Sequence, residues 1–120
     1  MPSVSVANPF IQASLLGDAV EHSPMATFVA DEIGRYVAVN RAACVLLGYG
    51  REELLGMRVV DVARYEEAPD EYAEMTNQGS MSGTTVLTCK DGTEVEFTYV
   101  AGATVVAGMQ VYVSVGAVSA

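Results

Sequence analysis

The chain has 120 residues, 51% of them hydrophobic, and fifteen acidic against six basic residues leave a net charge of −9. That length and hydrophobicity suit one domain with one core, and 11 Gly and 4 Pro without a period exclude collagen-like or low-complexity structure. The acidity argues against nucleic acid as a direct partner, since phosphate binding needs a basic face, and no apolar run reaches the roughly 18–20 residues of a membrane span.

The first predicted element is a helix with Asn8 as cap, Pro9 in its first position and an end near His22. Ile11, Leu15, Leu16, Ala19 and Val20 form an apolar stripe along it, a candidate dimer interface. Ser23-Pro24 stops the helix, so residues 1–22 are expected to flank a domain over 23–120. Strands over 27–31 and 35–39 follow as a hairpin, and Asn40 caps a short helix reaching Leu47. One further turn over 51–56 ends at Gly56, and residues 57–68 show no clean period. Pro69-Asp70 opens another helix, running through Glu71, Tyr72, Glu74 and Met75 until Asn77-Gln78-Gly79. Beyond Gly79 the period becomes two. Asp91-Gly92 joins a strand over 84–90 to one carrying Val95, Phe97 and Tyr99, and a loop between Gly102 and Gly108 leads to a last strand over 109–115. The expected fold is α+β: a five-stranded antiparallel sheet with short helices on one face and an N-terminal flanking helix.

No catalytic constellation emerges. His22 is the single histidine and sits at a helix end, and Cys44 reads as a small buried hydrophobe. Cys44 and Cys89 lack metal-ligand spacing, and two cysteines without a signal peptide suit a reducing, cytoplasmic compartment. The acidic cluster Glu66, Glu67, Asp70, Glu71 and Glu74 lacks the spacing of a calcium loop and reads as a solvated helix face. What remains is the space between sheet and helices, either a dry core or a small apolar pocket. Its expected lining is Phe28, Leu87, Phe97, Tyr99, Val111 and Val113 from the strands and Leu47, Leu54, Met57, Tyr72 and Met75 from the helices. Cys44, Tyr65, Tyr72 and Thr85 are the candidate polar groups within it.

Four motifs stand in order along the chain: Glu21-His22-Ser23-Pro24-Met25-Ala26, the hairpin from Asp31 through Asn40 to Ala43, Leu47-Gly48-Tyr49-Gly50-Arg51-Glu52-Glu53-Leu54-Leu55-Gly56, and Lys90-Asp91-Gly92-Thr93. With the element order, they resemble the PAS domain, the sensor module of many bacterial signalling proteins. The resemblance covers about residues 18–116. It implies a non-catalytic, cytoplasmic sensor domain that takes a small ligand, mediates homodimerisation or does both, attached to a kinase, cyclase or DNA-binding output domain; the alternative is a ligand-free homodimerisation or protein-interaction module. Cofactor subclasses of the family are not matched. The stretch from Ala68 to Tyr72 has no haem-ligating histidine, and Met57-Arg58-Val59-Val60 stands where flavin-adduct members carry Asn-Cys-Arg-Phe. No cysteine lies near Tyr65 for a coumaroyl thioester, and the chain has no Trp, which members holding flavin non-covalently often carry. A small organic ligand, or none, is what the resemblance leaves. The end of the chain, from Val115 to Ala120, departs from the family's Asp-Ile-Thr-like exit.

Overall fold

The computed structural model describes residues 5–63 and 80–118. The expected helix opened by Pro69-Asp70, the acidic cluster, Tyr65, Tyr72 and Met75 lie outside these residues. The elements run α1 (Pro9–Glu21), β1 (Ala26–Ala30), β2 (Tyr36–Val39), α2 (Arg41–Leu47), α3 (Arg51–Leu54), α4 (Val59–Val62), β3 (Ser80–Thr88), β4 (Glu94–Val106) and β5 (Met109–Val118). The strands form one antiparallel sheet in the order β2-β1-β5-β4-β3.

Each helix boundary has a local cause. Asn8 accepts a hydrogen bond from the Phe10 amide, and Pro9 occupies the first turn of α1. Asn40 caps α2 through the Ala43 amide, and Gly48, in the left-handed region at φ 77°, ends it. The Glu53 carboxylate reaches back to the Gly50 amide at 3.0 Å and starts α3. Ala43, Leu47, Leu54 and Val62 from α2, α3 and α4 pack on Phe28, Phe97 and Tyr99 of the sheet, which places the core on one face.

Three sequence expectations need correction. The strand expected over 84–90 begins at Ser80, because β4 is long enough to pair with Ser80 through Thr88. The loop expected between Gly102 and Gly108 is strand as far as Val106, closed by a two-residue turn. Ala107 (φ 51°) and Gly108 (φ 78°) both take the left-handed conformation that suits the twist of a tight hairpin. Gly102 does not break the strand, since it pairs with Val113 inside the ladder. The third correction concerns Val111 and Val113. Their strand does alternate, but Tyr112 and Ser114 pair with Ala30 and Phe28 and share their face, so the valine side chains point to the other side.

The β1–β2 hairpin carries a register irregularity between Val29 and Ala30. Phe28 faces Val39 while Ala30 faces Tyr36, so Tyr36 and Val39 are both buried with Val37 and Ala38 exposed between them. The outer edge of β2 is covered by the chain leading into α4, with Tyr36 N–H donating to Met57 O (3.1 Å) and Val59 N–H to Gly34 O (2.8 Å).

Candidate ligand cavity

Between the inner face of the sheet and α4 lies a cavity of about 440 Å³, within the roughly 300–1,000 Å³ usual for small-molecule sites. Its walls among the described residues are mainly aromatic and aliphatic: Phe28 and Ala30 from β1, Tyr36 from β2, Met81, Thr85 and Leu87 from β3, Phe97, Tyr99 and Ala101 from β4, and Tyr112 from β5. Val59, Val60 and Ala63 close it from the α4 segment. Glu32, Ile33 and Gly34 of the β1–β2 turn and Arg58 contribute the rest, with Ser114 and Val113 of β5.

The rings are fixed against one another. Phe28 meets Phe97 edge-on at 5.9 Å and Tyr36 at 5.4 Å, while Phe97 and Tyr99 stack at 6.2 Å with planes 11° apart. Tyr99 lies opposite Gly83, where an added Cβ would stand 3.5 Å from the tyrosine hydroxyl. Thr85 is 7% exposed, and its hydroxyl has no hydrogen-bond partner among the described residues.

The turn that contributes Glu32, Ile33 and Gly34 is organised by Asp31. One carboxylate oxygen accepts from the amides of Ile33 (3.0 Å) and Arg35 (2.9 Å), and the other meets the Arg35 guanidinium at 3.1 Å. Burial alone would raise the Asp31 pKa; the two amides and the guanidinium outweigh it and hold the group below the ordinary carboxylate range. A depressed folded-state pKa stabilises the fold above the unfolded value, and this is lost as pH falls through the folded one. The stability advantage of the native chain over Asp31→Asn is therefore expected to hold at neutral pH and shrink below about pH 4. Urea midpoints of the two proteins at pH 7 and pH 3 check this, and an equal gap at both pH values refutes it.

Of the sequence-predicted lining residues, Phe28, Leu87, Phe97 and Tyr99 do line the cavity together. Val113 lines it too, although the strand alternation sends its side chain to the outer face. Leu47 and Leu54 are fully buried in the core cluster, with Cys44 and Met57 packed against it, and none of the four lines the cavity. Burial also pushes the Cys44 thiol pKa up, away from a reactive thiolate. Val111 is buried but belongs to the opposite face of β5. Tyr36, Tyr112 and Val59 escaped the sequence reading. For Tyr112 the missed signal was that an aromatic residue alternates with the valines of β5.

Away from the cavity, polar contacts bind α1 and the β3–β4 turn to the body. The Asn40 carboxamide accepts from the Thr27 amide (2.9 Å) and the Ala43 amide (3.1 Å) and donates to the carbonyls of Val20 (2.7 Å) and Met25 (2.9 Å). Arg51 Nη2 donates to both oxygens of the Glu21 carboxylate, at 2.6 and 2.7 Å, while its Nε donates to Val39 O, and the hydrogen bond to Glu21 lowers the Glu21 pKa. Lys90 pairs with Glu53 at 2.8 Å and lies 5.8 Å above the Tyr49 ring. No residue of α1 is buried: Ile11 is half-buried, while Leu15, Leu16, Ala19 and Val20 are exposed, Leu16 at 64%. Among the described residues no group of three His, Cys, Asp or Glu side chains is placed to hold a metal, and no helix is long and apolar enough to cross a membrane.

Comparison with known proteins agrees with this architecture. The family model described as the PAS fold matches residues 16–117. The PAS domain of an HTR-like protein from Haloarcula marismortui superposes with a TM-score of 0.80 at 20% identity, over 90% of this chain and 92% of that one. A domain of a sensory box sensor histidine kinase/response regulator from Geobacter sulfurreducens gives 0.78 at 19% identity, over 93% and 98%. The PAS domain of nitrogen regulation protein NR(II) from Vibrio parahaemolyticus gives 0.76 at 13% identity, over 88% and 98%. No curated protein matches the chain. With its sheet order, its helices gathered on one face and a family match over most of its length, the chain belongs to the PAS family.

Proposed function

We propose that this PAS domain is a non-catalytic sensor that takes a small organic molecule into the cavity between sheet and helices. The observation that carries the reading is the 440 Å³ space walled by Phe28, Tyr36, Phe97, Tyr99 and Tyr112 on the inner face of the sheet. Occupancy favours one arrangement of the surrounding elements and so biases α1, whose last turn is tied to the body through Asn40 and Arg51. Residues 1–22 then act as the flanking helix and 23–120 as the sensing domain, with a kinase, cyclase or DNA-binding module as output. PAS domains of sensor histidine kinases with the same fold support an output module of that kind. A compartment without membrane insertion, the cytoplasm, suits this role. Native mass spectrometry of protein purified from cells, beside a denatured control, is expected to show a retained small molecule that Ala101→Phe, filling the cavity, removes. A bare protein that no small molecule stabilises against heat overturns the reading.

A second reading, homodimerisation, is favoured by the exposed apolar stripe of α1, where Phe10 is 85% exposed and Leu15, Leu16 and Val20 accompany it. Sedimentation is expected to give a dimer that Leu15→Glu converts to monomer; a monomer in both cases removes it.

A further inference from the structure

Thr85, one of the residues that line the cavity, carries a buried hydroxyl with no hydrogen-bond partner among the described residues. It sits in the middle of β3, directly opposite Phe97. Buried hydroxyls left unbonded are rare because they forfeit the hydrogen bonds water gave them in the unfolded chain. A single trapped water is a poor substitute, since it needs two to four polar partners of its own. The same-face neighbours of Thr85 along and across the strands are Gly83, Leu87 and Phe97, which offer no side-chain polar atom.

Among the described residues, charge gathers on one side of the site, at the β1–β2 turn and the start of α4. Among the described lining residues the ionisable groups apart from tyrosine are Glu32 and Arg58, both exposed, and the Arg58 guanidinium donates to the Ile33 carbonyl at 2.8 Å. Beside Thr85, an ionised group would lose its hydration, and no described residue there offers an opposite charge to replace it. The walls are ring-rich and held in edge and stacked contacts, a surface that favours another flat ring over a flexible chain.

We infer that the ligand is a small uncharged aromatic molecule with one hydrogen-bonding group, its ring between the aromatic walls and its polar atom on the Thr85 hydroxyl. The inference rests on the sensor reading above and narrows it to a ligand class. Because a threonine hydroxyl both donates and accepts, a phenol O–H or a ring N–H satisfies it equally.

Titration of the purified protein with naphthalene, 2-naphthol and 2-naphthoate tests this. 2-Naphthol is expected to bind about fivefold more tightly than naphthalene, the effect of one neutral hydrogen bond. Thr85→Val, which keeps the shape and removes the hydroxyl, is expected to abolish that difference and leave naphthalene binding unchanged. Unchanged naphthalene binding also shows that the variant is folded. The anionic naphthoate is expected to bind more weakly than either. Equal affinities for naphthol and naphthalene in the native protein, or tightest binding by naphthoate, overturn the inference while leaving the cavity as a binding site. Failure of all three to bind overturns the sensor reading itself. If Thr85→Val does not fold, the native comparison of naphthol with naphthalene decides alone.

Discussion

Gly116→Ala is expected to lower the melting temperature by roughly 10 °C, the equivalent of about 3 kcal/mol in a domain of this size. Gly116 lies inside the ladder between Ala26 and Tyr99. A Cβ built there stands 2.2 Å from the Thr98 carbonyl oxygen, 2.7 Å from Cζ of Phe97 and 2.9 Å from Cα of Tyr99. Two of these three atoms are backbone, so a side-chain rotation cannot clear the clash. β5 must move away from β4, and the Phe97 ring that walls the cavity must move with it. Gly17→Ala is the matched control: nothing lies within 4 Å of its added methyl, and alanine favours helix over glycine by up to about 1 kcal/mol. Thermal unfolding followed by circular dichroism is expected to show a large loss for one methyl and none for the other. An unchanged melting temperature for Gly116→Ala refutes the packing described here.

The second large effect is expected at Asn40, which is 4% exposed. Its carboxamide makes four hydrogen bonds, two accepted and two donated, to α1, to the start of β1 and to α2. Asn40→Ala strips the cap from α2 and leaves the Thr27 amide without this partner, at a cost of roughly 3 kcal/mol. Asn40→Asp separates the two halves of the role. The new carboxylate still accepts from the Thr27 and Ala43 amides, but turns a second oxygen toward the carbonyls of Val20 and Met25. Repulsion there raises the folded-state pKa of the introduced carboxyl, and its protonated form restores a donor. The deficit of Asn40→Asp is therefore expected to shrink as the pH falls below that raised value, whereas that of Asn40→Ala persists. Urea titrations of both variants at pH 7 and pH 4.5 measure this, and deficits that stay parallel refute the donor role.

Local signals were legible where one residue dictates one conformation. Asn8, Pro9, Asn40 and Gly48 set helix ends within a residue of where they lie, and Asp91-Gly92 gave the tight β3–β4 turn. Gly102 misled because glycine usually breaks a strand, and what overrides it is non-local: β5 offers a partner at every position from Phe97 to Val106. The phase of β5 misled for a related reason. Its valines are more hydrophobic than Tyr112 and Ser114, yet pairing with β1 decides which set faces the helices. The cavity was half legible: the alternation of Phe97 and Tyr99 with Glu96 and Thr98 placed one wall correctly. Tyr36 was not, since it reaches the inside through an irregular register that alternation cannot describe. Neither could spacing separate Leu47 and Leu54, which fill the core, from Val59 and Ala63, which border the space.

The attachment of α1 has a mechanical consequence. Thirteen residues of helix extend about 20 Å, and the contacts that bind it to the body gather in its last turn, at the Val20 carbonyl and the Glu21 carboxylate. A rod pivoted at one end magnifies motion at the pivot. A rotation of about 10° at Asn40 and Arg51 sweeps the Asn8 end through roughly 3 Å, a displacement comparable to the width of a side-chain contact. A small rearrangement among the residues beneath that last turn would therefore reach the far end of α1 enlarged.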